Sequence, residues 1–172
     1  MTREQAYQKK PSASEELRSL CSAITNLRCS VWRKGYGFTG SLHFGRMQPV
    51  DKRHPGSVDA DQGEMMLDLW DCDRVFLRPD GEVLLDSRVS RDEVALAVLH
   101  RVEGLEASKV ELDETKLSLR IDFADQHALV LILDPEQTEE GDEQWAVQGA
   151  SRTSVGIFGL GLIRWTDGRD TE

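Results

Sequence analysis

The clearest order in this chain is a spacing of apolar and polar positions that occurs twice. Leu17, Leu20, Cys21 and Ile24 fall at i, i+3, i+4 and i+7, which lays four apolar side chains along one face of a helix. Ser12 and Glu15 form a capping box ahead of them, so the helix is expected to begin there and run about three turns. A strand over 27–33, the turn Lys34-Gly35-Tyr36-Gly37 and a strand from Phe38 to Phe44 follow. The second copy opens on Ser90 and Glu93 as another capping box. It takes Val94, Ala97, Val98 and Val102 as its buried stripe and Gly104 as its stop, then runs through EASKV to the strand KLSLRIDFAD. Val31, Leu42 and Phe44 match Val110, Ile121 and Phe123 at a constant offset of 79, and Leu20 matches Leu99.

The remaining segments read as short strands and loops. Phe38, Leu42 and Phe44 share one strand face with Gly40, whose missing side chain is expected to admit a close neighbour, and His43 is expected on the opposite, exposed face. From Arg46 to Gly63 periodicity disappears while Pro49, Pro55, Gly56 and Asp61 accumulate, so these 18 residues read as a long loop. Strands are expected over Met65 to Trp70, Arg74 to Leu77 and Val83 to Leu85, the last two joined by the turn Pro79-Asp80-Gly81. Leu117, Leu119, Ile121 and Phe123 alternate with polar residues. The unbroken apolar run Leu129 to Leu133 suits a central strand, and Trp145 to Val147, Val155 to Phe158 and Leu162 to Trp165 suit closing strands.

The expected fold is therefore α+β, with largely antiparallel sheets and two helices on one side, built from two αββ-type pseudo-repeats over about 12–88 and 89–166. Residues 1–11 read as a flexible arm, 12–166 as one domain and 167–172 as a polar tail. A chain of 172 residues buries enough surface to fold without a disulfide or metal.

Charge changes the picture more than size does. The formal net charge is -10, and the run from Asp134 to Glu143 carries six acids and no base. Nucleic acid and anionic membranes both select clustered Lys and Arg, so neither is expected as a partner, whereas a basic protein would be attracted over long range. No stretch approaches the roughly 20 apolar residues of a membrane helix, the first ten residues lack the apolar core of a signal peptide, and Cys21, Cys29 and Cys72 form an odd set without CxxC spacing. A cytoplasmic protein with reduced cysteines is the expectation.

Candidate chemistry is sparse. His43, His54, His100 and His127 form no HxH or HxxxH pair, and no GxSxG elbow is present. Gly35/Gly37 and Gly159/Gly161 are isolated GxG patterns away from any strand-to-helix junction, so they read as turns. Asp68, Asp71 and Asp73 crowd one strand end but lack the glycine and glutamate of a calcium loop. No catalytic residue, metal or cofactor is expected. Trp32, Trp70, Trp145 and Trp165 divide between core and interface; by alternation Trp70 faces away from Leu67 and Leu69, next to Asp68.

Taken in order, Gly35 to Gly37, Leu42 to Gly45, Trp70, Arg74, Asp80 to Ser87, Phe123 and Glu143 to Trp145 make up a GYG turn before LHFG, a tryptophan- and arginine-bearing strand before a DG turn, and an acidic loop before WAV. This order resembles a family of small bacterial proteins similar to the immunity-protein-like families of toxin systems, over roughly residues 20–165. The chain departs from it at Phe38-Thr39, where a serine often follows the turn, and at Val75 beside the arginine. The resemblance implies a shared fold and carries over no catalytic residue. With the charge, it leads to the expectation of a non-enzymatic, immunity-like protein whose acidic face binds a basic macromolecule through Asp68, Trp70, Asp71, Asp73, Glu139, Glu140 and Asp142. A small-molecule pocket between the sheet and the 46–63 loop is the alternative, and short exposed strands permit a homodimer.

Overall fold

The computed structural model of the chain describes residues 12–49, 61–133, 143–149, 153–158 and 161–166. The fold is α+β. In chain order the elements are α1 (Ser12–Ile24), β1 (Cys29–Lys34), β2 (Gly40–Phe44), β3 (Met65–Leu69), β4 (Asp73–Leu77), β5 (Val83–Asp86), a 3-10 helix (Glu93–Val102), β6 (Ala107–Asp113), β7 (Ser118–Phe123), β8 (Ala128–Ile132), β9 (Glu143–Gln148), β10 (Thr153–Phe158) and β11 (Gly161–Thr166).

The strands form two antiparallel sheets, in the orders β1-β2-β3-β9-β10-β11 and β5-β4-β8-β7-β6. Each sheet thus takes three consecutive strands from one half of the chain and its other strands from the other half. Antiparallel register keeps directly opposed residues on one face. In the first sheet this aligns Trp32, Leu42, Leu67, Val147 and Val155, and in the second Val110, Ile121, Leu129, Phe76 and Leu85. All but the half-buried Val110 are buried, and these two rows belong to one shared core. The apolar run at 129–133 supplies β8, which is the central strand of the second sheet.

The two helices sit at opposite edges of the sheets, not on one side as expected. Helix α1 packs against β6 of one sheet and β9, β10 and β11 of the other, and the 3-10 helix packs against β1 and β5. Between helix and strand, residues 26–29 and 104–107 run against each other. Asn26 N donates to Ala107 O (2.8 Å) and Gly104 N to Cys29 O (2.7 Å), while Cys29 N donates to Leu105 O (2.8 Å) and Ala107 N to Leu27 O (2.9 Å). These bonds match Asn26 to Gly104 and Cys29 to Ala107, an offset of 78. Each following strand then shifts register at one residue, between Cys29 and Val31 and between Ala107 and Lys109. In the ladders that follow, Trp32 lies opposite Leu42 and Val110 opposite Ile121, as Cys29 lies opposite Phe44 and Ala107 opposite Phe123.

The second helix buries a different stripe from the one its sequence suggests. With about 3.0 residues per turn, a 3-10 helix lines up every third residue. Leu96, Leu99 and Val102 are fully buried, Val98 is half-buried, and Val94 and Ala97 face outward. Its cap is Asp92 rather than Ser90, with the Asp92 carboxylate accepting the Val94 amide at 2.9 Å. Gly104 does follow its end, at φ 82°. Among the described residues no helix is long and apolar enough to cross a membrane.

Candidate interaction site

The fold sets Asp68 apart from Asp71 and Asp73, which both meet Arg91. Strand β3 ends at Leu69 in the first sheet and β4 begins at Asp73 in the second, so 70–72 form the crossover between them. Asp68 lies on the outer face of β3 opposite Ser41, half-buried, and Trp70 is half-buried in the crossover with its amide donating to Gln144 O at 3.0 Å. Asp71 is also half-buried, and its carbonyl accepts from Arg91 Nη2 at 3.2 Å. Asp73 does not belong to an exposed face at all. It is 5% exposed, accepts from Ser87 Oγ at 2.8 Å and pairs with Arg91 Nη2 at 3.5 Å, because a buried carboxylate needs such partners. Glu139, Glu140 and Asp142 lie outside the described residues, as do His54, Gly159 and residues 50–60 of the long loop.

On the outer face of the first sheet the structure corrects a second expectation. His43 is buried rather than exposed. The start of β3 and the residues before it lie over the imidazole: Gly63 N donates to His43 Nδ1 at 3.2 Å, and His43 Nε2 meets Ser41 Oγ at 2.9 Å. Gln62 Nε2 reaches Gln148 Oε1 at 2.7 Å, and Arg33 Nη1 bonds Asp61 O. Because Nδ1 accepts an amide proton, the ring is the neutral Nε2–H tautomer and donates toward Ser41. Burial, with the Arg33 charge second, lowers its pKa to about 4. An imidazole that donates to a serine does not take that serine's proton, so Ser41 and His43 are not arranged as nucleophile and base. At the described end of the loop the backbone of Gly63 runs close to Phe44: a Cβ at Gly63 would stand 2.6 Å from Phe44 O.

A concavity lies between β5 and the 3-10 helix. It has a volume of about 420 Å³ and is lined by Val83, Leu85, Val89 and Ala95, with Asp86 and Asp92 on its polar side. Val83, Val89 and Val94 are 51%, 84% and 80% exposed. Strand β5 closes the order of its sheet, so its outer backbone edge pairs with no described strand. Tyr36 is 97% exposed on the β1–β2 turn, which is tied to the same helix by the Lys34–Glu93 ion pair at 3.1 Å. The sequence concealed this surface because an α-helical period placed Val94 in the core. Leu96, Leu99 and Val102 do stand three apart, but EVALAVLHRV fits an α-helical spacing as well, so spacing alone did not reveal the surface.

The other singled-out residues take structural roles. Trp32 and Trp145 are core residues, and Trp145 Nε1 donates to Leu117 O at 3.2 Å. His100 meets Glu103 at 2.8 Å near the end of its helix, and His127 meets Asp125 at 2.7 Å while stacking on Phe76. Burial raises the thiols of Cys21 and Cys29 to about 12 and that of Cys72 to about 11, and all three are free. Among the described residues no group of three or more His, Cys, Asp or Glu is placed to hold a metal ion. Comparison with protein-family models, curated proteins and solved structures returns no match.

Proposed function

We propose that this chain is a non-enzymatic protein-binding domain that docks a partner in the groove between β5 and the 3-10 helix. The observation that carries the reading is the exposure of Val83 and Val89 in a groove beside an open sheet edge, with Val94 exposed on the helix that forms its other wall. Apolar surface concentrated along one groove is a feature of interaction sites, and an unpaired strand edge offers amides and carbonyls to an extended segment. The partner best fitted is a basic protein presenting an extended segment with alternating apolar side chains. The net charge of -10 attracts such a partner from a distance, and the groove supplies short-range contacts. An immunity-like role, in which the domain covers a basic toxin inside a bacterial cell, is the sharpest form of the reading and agrees with the resemblance.

The test is capture of partners from native cells by tagged chain at low and moderate salt, comparing the wild type with the double variant Val89→Asp, Val94→Asp. Both valines are exposed, so circular dichroism and melting temperature are expected to stay unchanged. A stoichiometric partner held by the wild type and lost from the folded double variant supports the groove. Equal capture by both proteins overturns it.

A further inference from the structure

We propose that the groove takes one extended basic segment as an added outer strand of the second sheet, antiparallel to β5. This rests on the groove reading and goes further, to the polarity and charge of the bound segment. The two sheets can be laid strand on strand: β1, β2, β3, β9 and β10 of the first stand in the same order as β6, β7, β8, β4 and β5 of the second. Their registers agree as well. Leu42, Leu67, Val147 and Val155 make a row across the first sheet, and Ile121, Leu129, Phe76 and Leu85 make the matching row across the second. All of them are buried. The helices keep the same relation, with α1 packed against β10 and the 3-10 helix against β5.

Beyond β10 the first sheet has one more strand. β11 pairs antiparallel with β10, Thr153 opposite Thr166 and Phe158 opposite Gly161, and it packs against α1. Its Leu162 lies opposite the buried Ile157 and packs on the core. In the matching place beyond β5 lies the concavity of about 420 Å³, which follows β5 from Val83 to Asp86 and has Val89 and Ala95 among its other walls. In the first sheet the chain supplies its own outer strand; in the second it leaves a groove beside an edge that pairs with no described strand. A segment seated there as β11 sits on β10 gives its backbone groups to β5 and alternate side chains to the groove. The amides of Val89 and Ser90 both take the Asp86 carbonyl, at 3.1 Å, so the edge open to a new strand starts from the Val83 end. Charge completes the match. Asp86 is paired with Arg88 at 2.8 Å, but the groove also carries Asp92, an exposed carboxylate on the helix side, and no basic residue lines it. The occupant therefore has apolar residues two apart with a basic residue between them, as β11 has Ile163 and Trp165 around Arg164.

The experiment adds a synthetic peptide of residues 161–166, blocked at both ends, to the full chain. A saturable rise in melting temperature is expected. It is smaller with the Arg164→Gln peptide and lost with the Ile163→Pro peptide, whose proline has no amide for a ladder and disfavours a strand interior. Polarity is read by disulfide capture in Val83→Cys, at an exposed position, while the three native cysteines are buried. A peptide with an activated cysteine added after Thr166 is captured, and one with the cysteine added before Gly161 is not. No rise, equal rises with all three peptides, or equal capture of both cysteine peptides overturns the added strand. None of these results changes the outcome of partner capture from cells. Equal partner capture by wild type and the double valine variant, beside a directional disulfide, removes the native partner from the groove and leaves the strand polarity standing.

Discussion

Asn26 and Gly104 leave the two helices in the same left-handed conformation, at φ 68° and 82°, and each donates its amide to the strand that begins the other half. This conformation costs an ordinary L-residue about 1–2 kcal/mol, whereas glycine is free of the penalty and asparagine tolerates it. Gly104→Val is therefore expected to cost about 1–2 kcal/mol of stability by urea unfolding even though open space surrounds the site. Asn26→Gly should fall within about 1 kcal/mol of the wild type, and Asn26→Val should cost more. Equal losses for the glycine and valine variants of Asn26 would show that the side chain, not the backbone, matters there.

Gly40 supports Trp32 by having no side chain. A Cβ at Gly40 would come within 2.8 Å of Trp32 Cζ2 and 2.7 Å of Arg33 O, both fixed by the sheet. Gly40→Val is expected to destabilise by about 1–3 kcal/mol and to shift the tryptophan emission as the indole is displaced. A variant with native emission and native stability would place the ring elsewhere.

His43 should make stability depend on pH. Its pKa falls from 6.5 to about 4 in the folded chain, so the unfolded state binds its proton first. The contribution from the neutral ring is complete above about 6.5 and is lost as pH falls toward about 4. In His43→Gln, which does not titrate, the slope of melting temperature against pH should be shallower between these values. Superimposable slopes would mean that the histidine is solvated.

The thiols should be silent in the folded protein. With Cys21 and Cys29 raised to about 12 and Cys72 to about 11, the thiolate fraction at pH 8 is very small and the sulfur atoms are buried. An aromatic disulfide reagent is expected to label none of the three until denaturant is added, when all three react. Fast labelling of the native chain would contradict the burial.

Asp73 is expected to act on stability. Asp73→Ala takes the acceptor from Ser87 Oγ and the paired carboxylate from Arg91, and should cost about 1–3 kcal/mol by urea unfolding. Unchanged stability would return this acid to the list of surface residues.

By itself the sequence determined the elements whose side-chain period is local. Helix α1, the alternation in β7, the apolar centre of β8 and the α+β class all follow from spacings within a few residues, and so does the need for glycine at 40. The tertiary structure decided what depends on partners far along the chain. Alternation says that His43 faces away from Leu42 and Phe44, but only the segment at 61–63 folding over it makes that face an interior. Spacing alone does not separate a 3-10 helix from an α-helix in EVALAVLHRV; contact with β1 and β5 selects Leu96, Leu99 and Val102 for burial and turns Val94 outward. The acids at 68–73 are neighbours in sequence, yet the chain changes sheets between them, so Asp68 and Asp73 end in different surroundings. Arg74 opens the strand expected from Arg74 to Leu77, and local spacing does not say that it is buried. Strand pairing with β8 carries it inside, and the groups it meets there come from segments that no local pattern connects.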